Sequence, residues 1–207
     1  MIKAVIFDVG GVLIRTVDQR GRNELEARLG LAHGESEQIV FNSEPGQKAQ
    51  RGEITTAQLW EWVEGYLGLD AAALRDFQRD FWAGDQMDTE LVNWIRGLRP
   101  RYQTAIISNA LDNLTHVVTD LYPMADAFDV IVGSAYEKVM KPNRAIYEIA
   151  LQRLGCQPDE AIFIDDFYHN IEGARAVGMA GLVYRAGMDV PGALAEWGVG
   201  GNERLRD

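Results

Sequence analysis

A single cysteine, Cys156, stands in the 207 residues. It has no second thiol for an internal disulfide and no neighbour for a CxxC zinc or redox pair, so it reads as a buried structural thiol in a reducing compartment. Long apolar runs are missing too. No stretch approaches the roughly 20 apolar residues that cross a bilayer, and the amino terminus lacks the basic segment, long apolar core and small-residue cleavage site of a signal peptide. The expectation is a cytoplasmic chain with no membrane partner. Clustered lysine and arginine are also absent. With 20 basic against 31 acidic residues and a formal charge of −11, a nucleic-acid partner held through its phosphates is disfavoured. A small anionic substrate is not, because a metal or a few local donors reverse the sign of one pocket whatever the total. Internal repeats, low-complexity tracts and flexible linkers do not occur.

What the chain has is apolar content, 47%, enough for a sound core and a second small subdomain. Much of it falls in short unbroken runs that end in polar residues. Ala4, Val5, Ile6 and Phe7 lead into Asp8; TAIISN leads into Ser108 and Asn109; AIFIDD leads into Asp165 and Asp166. Runs of this kind suit strands buried on both faces. In open parallel α/β sheets, ligands bind outside the carboxyl ends of the strands, so the three ends aim their polar residues at one pocket.

After the first run, residues 19–98 show helical patterns and no convincing strand. NELEARLG carries Leu25 and Leu29 four apart before Gly30. ITTAQLWEWVEGYLG sets Thr55 and Gln58 as a capping box, with Leu59, Trp62, Val63, Tyr66 and Leu67 on one face. DAAALRDFQRDFWAG continues with Leu74, Phe77 and Phe81. This predicts a helical insert with its own small core, its aromatics serving packing. From Asp88 onward strand and helix alternate: a helix ended by Pro100, a strand at QTAIIS, a helix at LDNLTHVVTDLY, a short strand at FDVIVGS, an amphipathic helix closed by Gly155, then AIFIDD, a helix through NIEGARAVG and a strand at AGLVYR. A short helix at PGALAEW and a polar tail follow. The fold class is therefore α/β, a Rossmann-like parallel sheet of residues 1–14 and 88–207 with an inserted α-helical cap of residues 15–87.

Three carboxylates, Asp8, Asp165 and Asp166, brought into one pocket call for a cation or for raised pKa values. Mg2+ is the natural occupant, a hard ion that takes oxygen ligands and works with a substrate phosphate. A carboxylate beside it can attack phosphorus and form an aspartyl-phosphate. Ser108, and backbone amides at the start of a following helix, can donate to phosphoryl oxygens. Lys141, just before a helix, can balance charge developing in the transfer. Each residue has a bland counterpart: Asp8 as no more than a turn cap, Ser108 and Asp166 as helix caps, Lys141 as a solvated lysine. The bland readings do not account for three strands ending this way in order, with a lysine between the second and third.

FDVGGVL, ISN, the lysine of KP and FIDDFYHNIEGA, in that order and with a helical insert after the first, resemble the haloacid dehalogenase-like (HAD) hydrolase superfamily over essentially residues 1–185. The resemblance implies a helical cap on a Rossmann-like core. It implies a phosphatase acting on a small phosphorylated metabolite, with Asp8 as nucleophile and Lys141 as charge stabiliser. Ser108 binds phosphate in that scheme, joined by Asn109, Gly10 and Lys141. Mg2+ is held by Asp8, the carbonyl of Gly10 and Asp166, with Asp165 assisting directly or through water, and Asn170 sits where the family often has a further acid. RGEIT, with Arg51 and Glu53, looks like the cap of small sugar-phosphate phosphatases, and the first motif is similar to that of an alpha-D-glucose-1-phosphate phosphatase subgroup.

One departure stands out. Family phosphatases usually carry a second aspartate two residues after the nucleophile, as acid and base; here the position is Gly10. Two rival expectations follow from it: a metal-independent haloacid dehalogenase, whose strand end looks like SSN where this chain has FIDD, and a binding or regulatory protein with a lost activity. The histidines, His33, His116 and His169, show no metal spacing; His169 either lines the pocket mouth or is solvated at a helix start. Asn42, Ser43, Gln47 and Arg51 are the cap residues available to meet substrate hydroxyls.

Overall fold

All four residues of β1 (Ala4–Phe7) are buried. In the computed structural model, which describes residues 1–200, the chain continues through β2 (Ile14–Thr16), α1 (Arg20–Leu29), α2 (Glu35–Glu37) with a π-helical turn at Gln38–Asn42, α3 (Glu44–Gln50), α4 (Thr56–Leu67), α5 (Ala71–Trp82) and β3 (Asp85–Met87). Then come α6 (Thr89–Leu98), β4 (Gln103–Ser108), α7 (Leu114–His116) with a π-helical turn at Val117–Leu121, β5 (Val130–Gly133), α8 (Ser134–Glu137) and α9 (Arg144–Leu154). The last elements are β6 (Ala161–Asp165), α10 (Tyr168–Ala176), β7 (Ala180–Val183) and α11 (Val190–Ala195). The end of the expected polar tail, residues 201–207, lies outside the described residues.

Five strands form one parallel sheet in the order β5-β4-β1-β6-β7. The chain builds outward from β1 through β4 to β5, then crosses back to β6 on the other side of β1. The strand order thus reverses between β1 and β6, the place where open sheets of this kind bind ligands. Alternate residues of β1 serve the two faces: Val5 and Phe7 pack with α6, α11 and the carboxyl-terminal segment, Ala4 and Ile6 with α9 and α10. Side-chain caps set the helix starts, Asp88 for α6 and Asn143 for α9, and Gly155 in the left-handed region ends α9.

The helical insert is present, and α1 to α5 share an apolar cluster of Leu25, Ile39, Val40, Ala49, Leu59, Val63, Phe77 and Phe81. Thr55 and Gln58 form the expected capping box. Three expectations need correction. Residues 19–98 do contain a strand: β3 pairs antiparallel with β2 in a two-stranded ribbon where the chain leaves and re-enters the sheet. At three residues with two polar side chains, β3 is too short and too polar to leave a period-two signal. Tyr66 is exposed: it stacks, with ring centroids 4.9 Å apart, on Trp62, which is half-buried and packs against the insert's cluster as expected. LDNLTHVVTDLY is not one regular helix but a single α turn followed by a π turn.

A ninth member of the insert's apolar cluster, Leu111, comes from the loop after β4. Around it Thr56 donates to Asp112, Ser134 donates to the carbonyl of Gln50 at 2.6 Å, and Lys138 donates to that of Gly52. Gly52 has φ 61°, and a Cβ there would meet the Ala135 carbonyl oxygen at 2.1 Å, so both the turn and the close approach require glycine. The insert thereby rests on the loop after β4 and on α8. Leu111→Ala is expected to cost about 2–5 kcal/mol, the usual range for truncating a buried leucine, read as a lowered urea midpoint; a loss under about 0.5 kcal/mol would mean the leucine is not part of a packed junction.

Candidate active site

β1, β4 and β6 end side by side. Because Phe7 is in register with Ile106 and Ile164, the next residue, Asp8, stands level with Asp165, and Ser108 lies one residue beyond on the other side. Asp8 closes its strand by donating its backbone N–H to the Ile164 carbonyl at 2.9 Å. A tight turn follows, in which Leu13 and Ile14 both donate to the Val9 carbonyl. Gly11 in this turn has φ 76°, and a Cβ on it would lie 2.3 Å from Oδ2 of Asp166. Only glycine lets this backbone lie against that carboxylate.

Lys141 reaches the same place from the segment before α9. Its Nζ lies 2.8 Å from Oδ1 of Asp8 and 2.6 Å from Oδ2 of Asp165, and it is 3% exposed. The solvated-lysine reading therefore fails. Oδ1 of Asp8 also accepts the backbone N–H of Val9 at 2.7 Å; neither bond uses Oδ2. Asp165, fully buried, accepts from Lys141, from the backbone N–H of Phe167 at 2.8 Å, and from Nδ2 of Asn170 at 3.1 and 3.0 Å. Its oxygens are thus occupied by protein donors. Asp166 differs: its Oδ1 is buried with no hydrogen-bond partner. One oxygen from each of Asp8, Asp165 and Asp166 can be chosen so that all lie within 4.8 Å of one another.

The electrostatics follow from burial. Removal from water pushes the Asp8 carboxyl up to about 7; the Asp165 charge adds to this, and Lys141 and the Val9 amide oppose it. Burial pulls Lys141 down, but the charges of Asp8 and Asp165 outweigh it and hold the ammonium above its ordinary value. Asp166 is pushed up by burial and then by Asp165. One lysine for three carboxylates is a deficit of positive charge, and a divalent cation on the same oxygens reverses these shifts. Hard carboxylate oxygens on Asp8 and Asp166, the one on Asp166 buried and orphaned, and a glycine turn pressed against that carboxylate fit Mg2+.

Of the residues named from sequence, Asp8, Ser108, Lys141, Asp165 and Asp166 meet at the strand ends. Asp166 is not a helix cap; Phe167 occupies the cap position of α10 with no side-chain bond. The expected helix start behind Ser108 is absent as well: residues 109–113 are irregular before the single turn of α7. His33 and His116 pair with Glu26 and Asp120, and His169 lies against Phe167 with ring centroids 5.5 Å apart. In the insert, Ser43 spends its hydroxyl on capping α3 and on the Ile39 carbonyl, Gln47 reaches the Asn42 carbonyl, and Arg51 pairs with Glu53. Sequence reasoning missed Tyr147, whose hydroxyl donates to the Asn170 carbonyl at 2.7 Å and steadies the start of α10. On an amphipathic helix it looks like any core aromatic.

The comparisons with known proteins bear on the same segments. The chain is 28% identical to a sesquiterpene phosphatase of Aspergillus oryzae over 181 residues, 87% of this chain and 88% of the relative. It is 22% identical to a D-ribitol-5-phosphate phosphatase of Bacteroides thetaiotaomicron over 188 residues, 86% of this chain and 89% of the relative. A crystal structure of a HAD family enzyme of Bacteroides thetaiotaomicron, in complex with magnesium and inorganic phosphate, superposes with TM-score 0.78 at 23% identity, covering 93% of this chain and 99% of that one. The family model of haloacid dehalogenase-like hydrolases matches residues 2–178. That span takes in all three strand ends, the lysine and the insert between them: the chain belongs to the haloacid dehalogenase-like hydrolases.

Proposed function

We propose that this hydrolase releases phosphate from monoesters of small metabolites, with Asp8 as nucleophile, Lys141 and Ser108 on the phosphoryl group, and Mg2+ as its metal. The observation that carries the reading is the contrast between two oxygens: Asp8 Oδ1 is fixed by Lys141 and Val9, while the buried Asp166 Oδ1 lacks any partner. The first arrangement leaves Asp8 Oδ2 to react; the second calls for a cation. Asp8, Asp166 and the Gly10 carbonyl would hold the metal, and Asp165 serves as counter-ion to Lys141. Bound Mg2+ supplies Lewis-acid neutralisation of the crowded carboxylates and the phosphoryl oxygens. Asp8 attacks phosphorus as the bond to the leaving oxygen breaks, giving an aspartyl-phosphate; water then attacks phosphorus, restoring the carboxylate and releasing inorganic phosphate. The division into a core of residues 1–14 and 88–207 and a cap of residues 15–87 belongs to the same proposal.

Gly10 shapes the substrate range. It is exposed, and a Cβ added there meets nothing within 4 Å. The position has room for an acid and lacks one, so the leaving oxygen departs without a protein proton. Esters with acidic leaving groups, such as anomeric sugar phosphates, suit such a site better than simple alkyl phosphates. Gly10→Asp is expected to raise turnover of alkyl phosphates by about a hundredfold, the low end for a positioned acid, and that of anomeric phosphates much less. An equal gain on both classes would refute the leaving-group argument.

The test of the function is phosphate release from a panel of aryl, alkyl, anomeric and terminal sugar phosphates, and of prenyl phosphates, in Mg2+ or EDTA. Mg2+-dependent release is the expected result. Halide release from 2-chloropropionate in EDTA would favour the metal-free dehalogenase, and binding of phosphate without turnover of any ester a protein that has lost its activity. Stability gives a second handle. In EDTA, Asp8 and Asp166 bind protons in the folded chain that the unfolded chain releases at lower pH, so stability is lost as pH rises from about 4 through about 7. Added Mg2+ is expected to raise the unfolding midpoint more at pH 8 than at pH 5, where protons compete for the same oxygens; an equal rise at both would remove the carboxylates from the metal site.

A further inference from the structure

Asn109 follows Ser108 at the end of β4, and the sequence assigns it to phosphate. Its side chain faces elsewhere. Oδ1 accepts the backbone N–H of Lys141 at 2.8 Å, and Nδ2 donates to the Lys141 carbonyl at 3.1 Å. One amide thus closes on both backbone groups of a single residue, as a neighbouring strand would. The segment that carries Lys141 needs such an anchor. It runs between α8 and α9 with no strand pairing of its own, and it leaves α8 through Lys138 in the left-handed region at φ 59°.

We propose that Asn109 is a positioning residue for Lys141, locking the lysine's backbone to the strand end that carries Ser108. The inference rests on the phosphatase reading for its consequence, though not for its geometry. Lysine reaches its partners on a flexible four-carbon stem, so where its ammonium sits depends on where the stem is rooted. The ammonium itself is held by the charges of Asp8 and Asp165 and lies over the Phe163 ring, and the first of those charges is lost when Asp8 becomes an acyl phosphate. The Asn109 clamp does not involve that charge. It holds the root of the lysine in one place while the tip exchanges a carboxylate for a phosphoryl group and back. A phosphate ligand would present free amide hydrogens; here Oδ1 and one hydrogen of Nδ2 are already committed, and Oδ1 itself would repel an anion.

The experiment uses the whole chain as wild type, Asn109→Ala and Ser108→Ala. Two quantities are read: hydrogen exchange of the Lys141 backbone amide without substrate, and turnover of p-nitrophenyl phosphate in Mg2+ together with its inhibition by inorganic phosphate. In Asn109→Ala the Lys141 amide is expected to exchange at least about tenfold faster. Its kcat is expected to fall about ten- to a hundredfold, as for a sub-ångström misplacement of a charged group, with the phosphate inhibition constant changed less than about twofold. Ser108→Ala is expected to weaken phosphate inhibition and leave Lys141 exchange unchanged. If phosphate inhibition weakens in step with kcat while Lys141 exchange stays as in the wild type, Asn109 is a phosphate ligand and the proposal is wrong; an unchanged kcat also overturns it. Should Asn109→Ala not fold, Asn109→Asp keeps the acceptor for the Lys141 N–H and loses the donor to its carbonyl. The proposal then requires retained amide protection with reduced kcat, and fails if kcat is retained. A wild type that hydrolyses no phosphate ester defeats the phosphatase reading alone, because the exchange comparison still decides the clamp.

Discussion

Asp8→Asn is expected to lower Mg2+-dependent phosphate release by about ten-thousandfold or more while the protein stays folded. The amide has the shape of the carboxylate and keeps an oxygen to accept the Val9 N–H, so the turn after β1 retains its bond. It cannot attack phosphorus, and among the three clustered acids no other stands in its place: Asp165 is engaged with Lys141, Phe167 and Asn170, and Asp166 lies behind Gly11. The stability side separates this outcome from simple damage. Burial already pushes Asp8 up to about 7, so its charge opposes folding near neutral pH, and the substitution removes one of three crowded negative charges. The unfolding midpoint in EDTA should hold or rise at pH 8. Turnover within tenfold of the wild type would eliminate Asp8 as the nucleophile; lost turnover with a sharply lowered midpoint would make the residue structural instead.

What made the site legible in the sequence was burial. Strands covered on both faces, such as AVIF and AIFID, leave unbroken apolar runs, and a polar residue ending such a run is conspicuous. Hence the sequence alone places Asp8, Ser108, Asp165 and Asp166 at strand ends. It does not assign the division of labour between the adjacent acids. Which of Asp165 and Asp166 meets the lysine depends on the turn into α10, where the Phe167 N–H and Asn170 collect on one carboxylate, and nothing local marks the difference. Asn109 shows the same limit, since a polar residue beside a serine proposed to bind phosphate looks like a second ligand until the loop bearing Lys141 is seen to lie against it. The β2–β3 ribbon was hidden for another reason: three-residue strands with half-exposed faces are held by pairing and carry little hydrophobic pattern. The insert's own core was readable because helices of two to three turns repeat their apolar stripe often enough to be counted.

Lys141→Met should abolish turnover and also destabilise the fold in a way that depends on pH. Methionine fills much the same volume against Phe163, whose ring centroid lies 5.3 Å from Nζ, so packing is largely kept while the charge is lost. Asp165, fully buried, then faces Asp8 and Asp166 with only Asn170 and the Phe167 amide to offset its charge. Breaking a buried ion pair by removing one partner typically costs about 3–5 kcal/mol, a large part of the 5–15 kcal/mol that holds a typical domain together. The sign with pH follows from proton linkage. Asp8 is already raised in the wild type, with Lys141 the strongest influence holding it down, so removing the lysine raises it further. A folded chain that binds protons the unfolded chain has released loses stability as pH rises through the folded-state pKa. In EDTA the deficit of Lys141→Met against wild type is therefore expected to be smaller near pH 5, where Asp8 is protonated in both proteins, than at pH 8, above the wild-type value of about 7. Urea unfolding at the two pH values measures it. A deficit of the same size at both would show that the lysine is held for its packing, and its assignment to charge balance in phosphoryl transfer would fall with it.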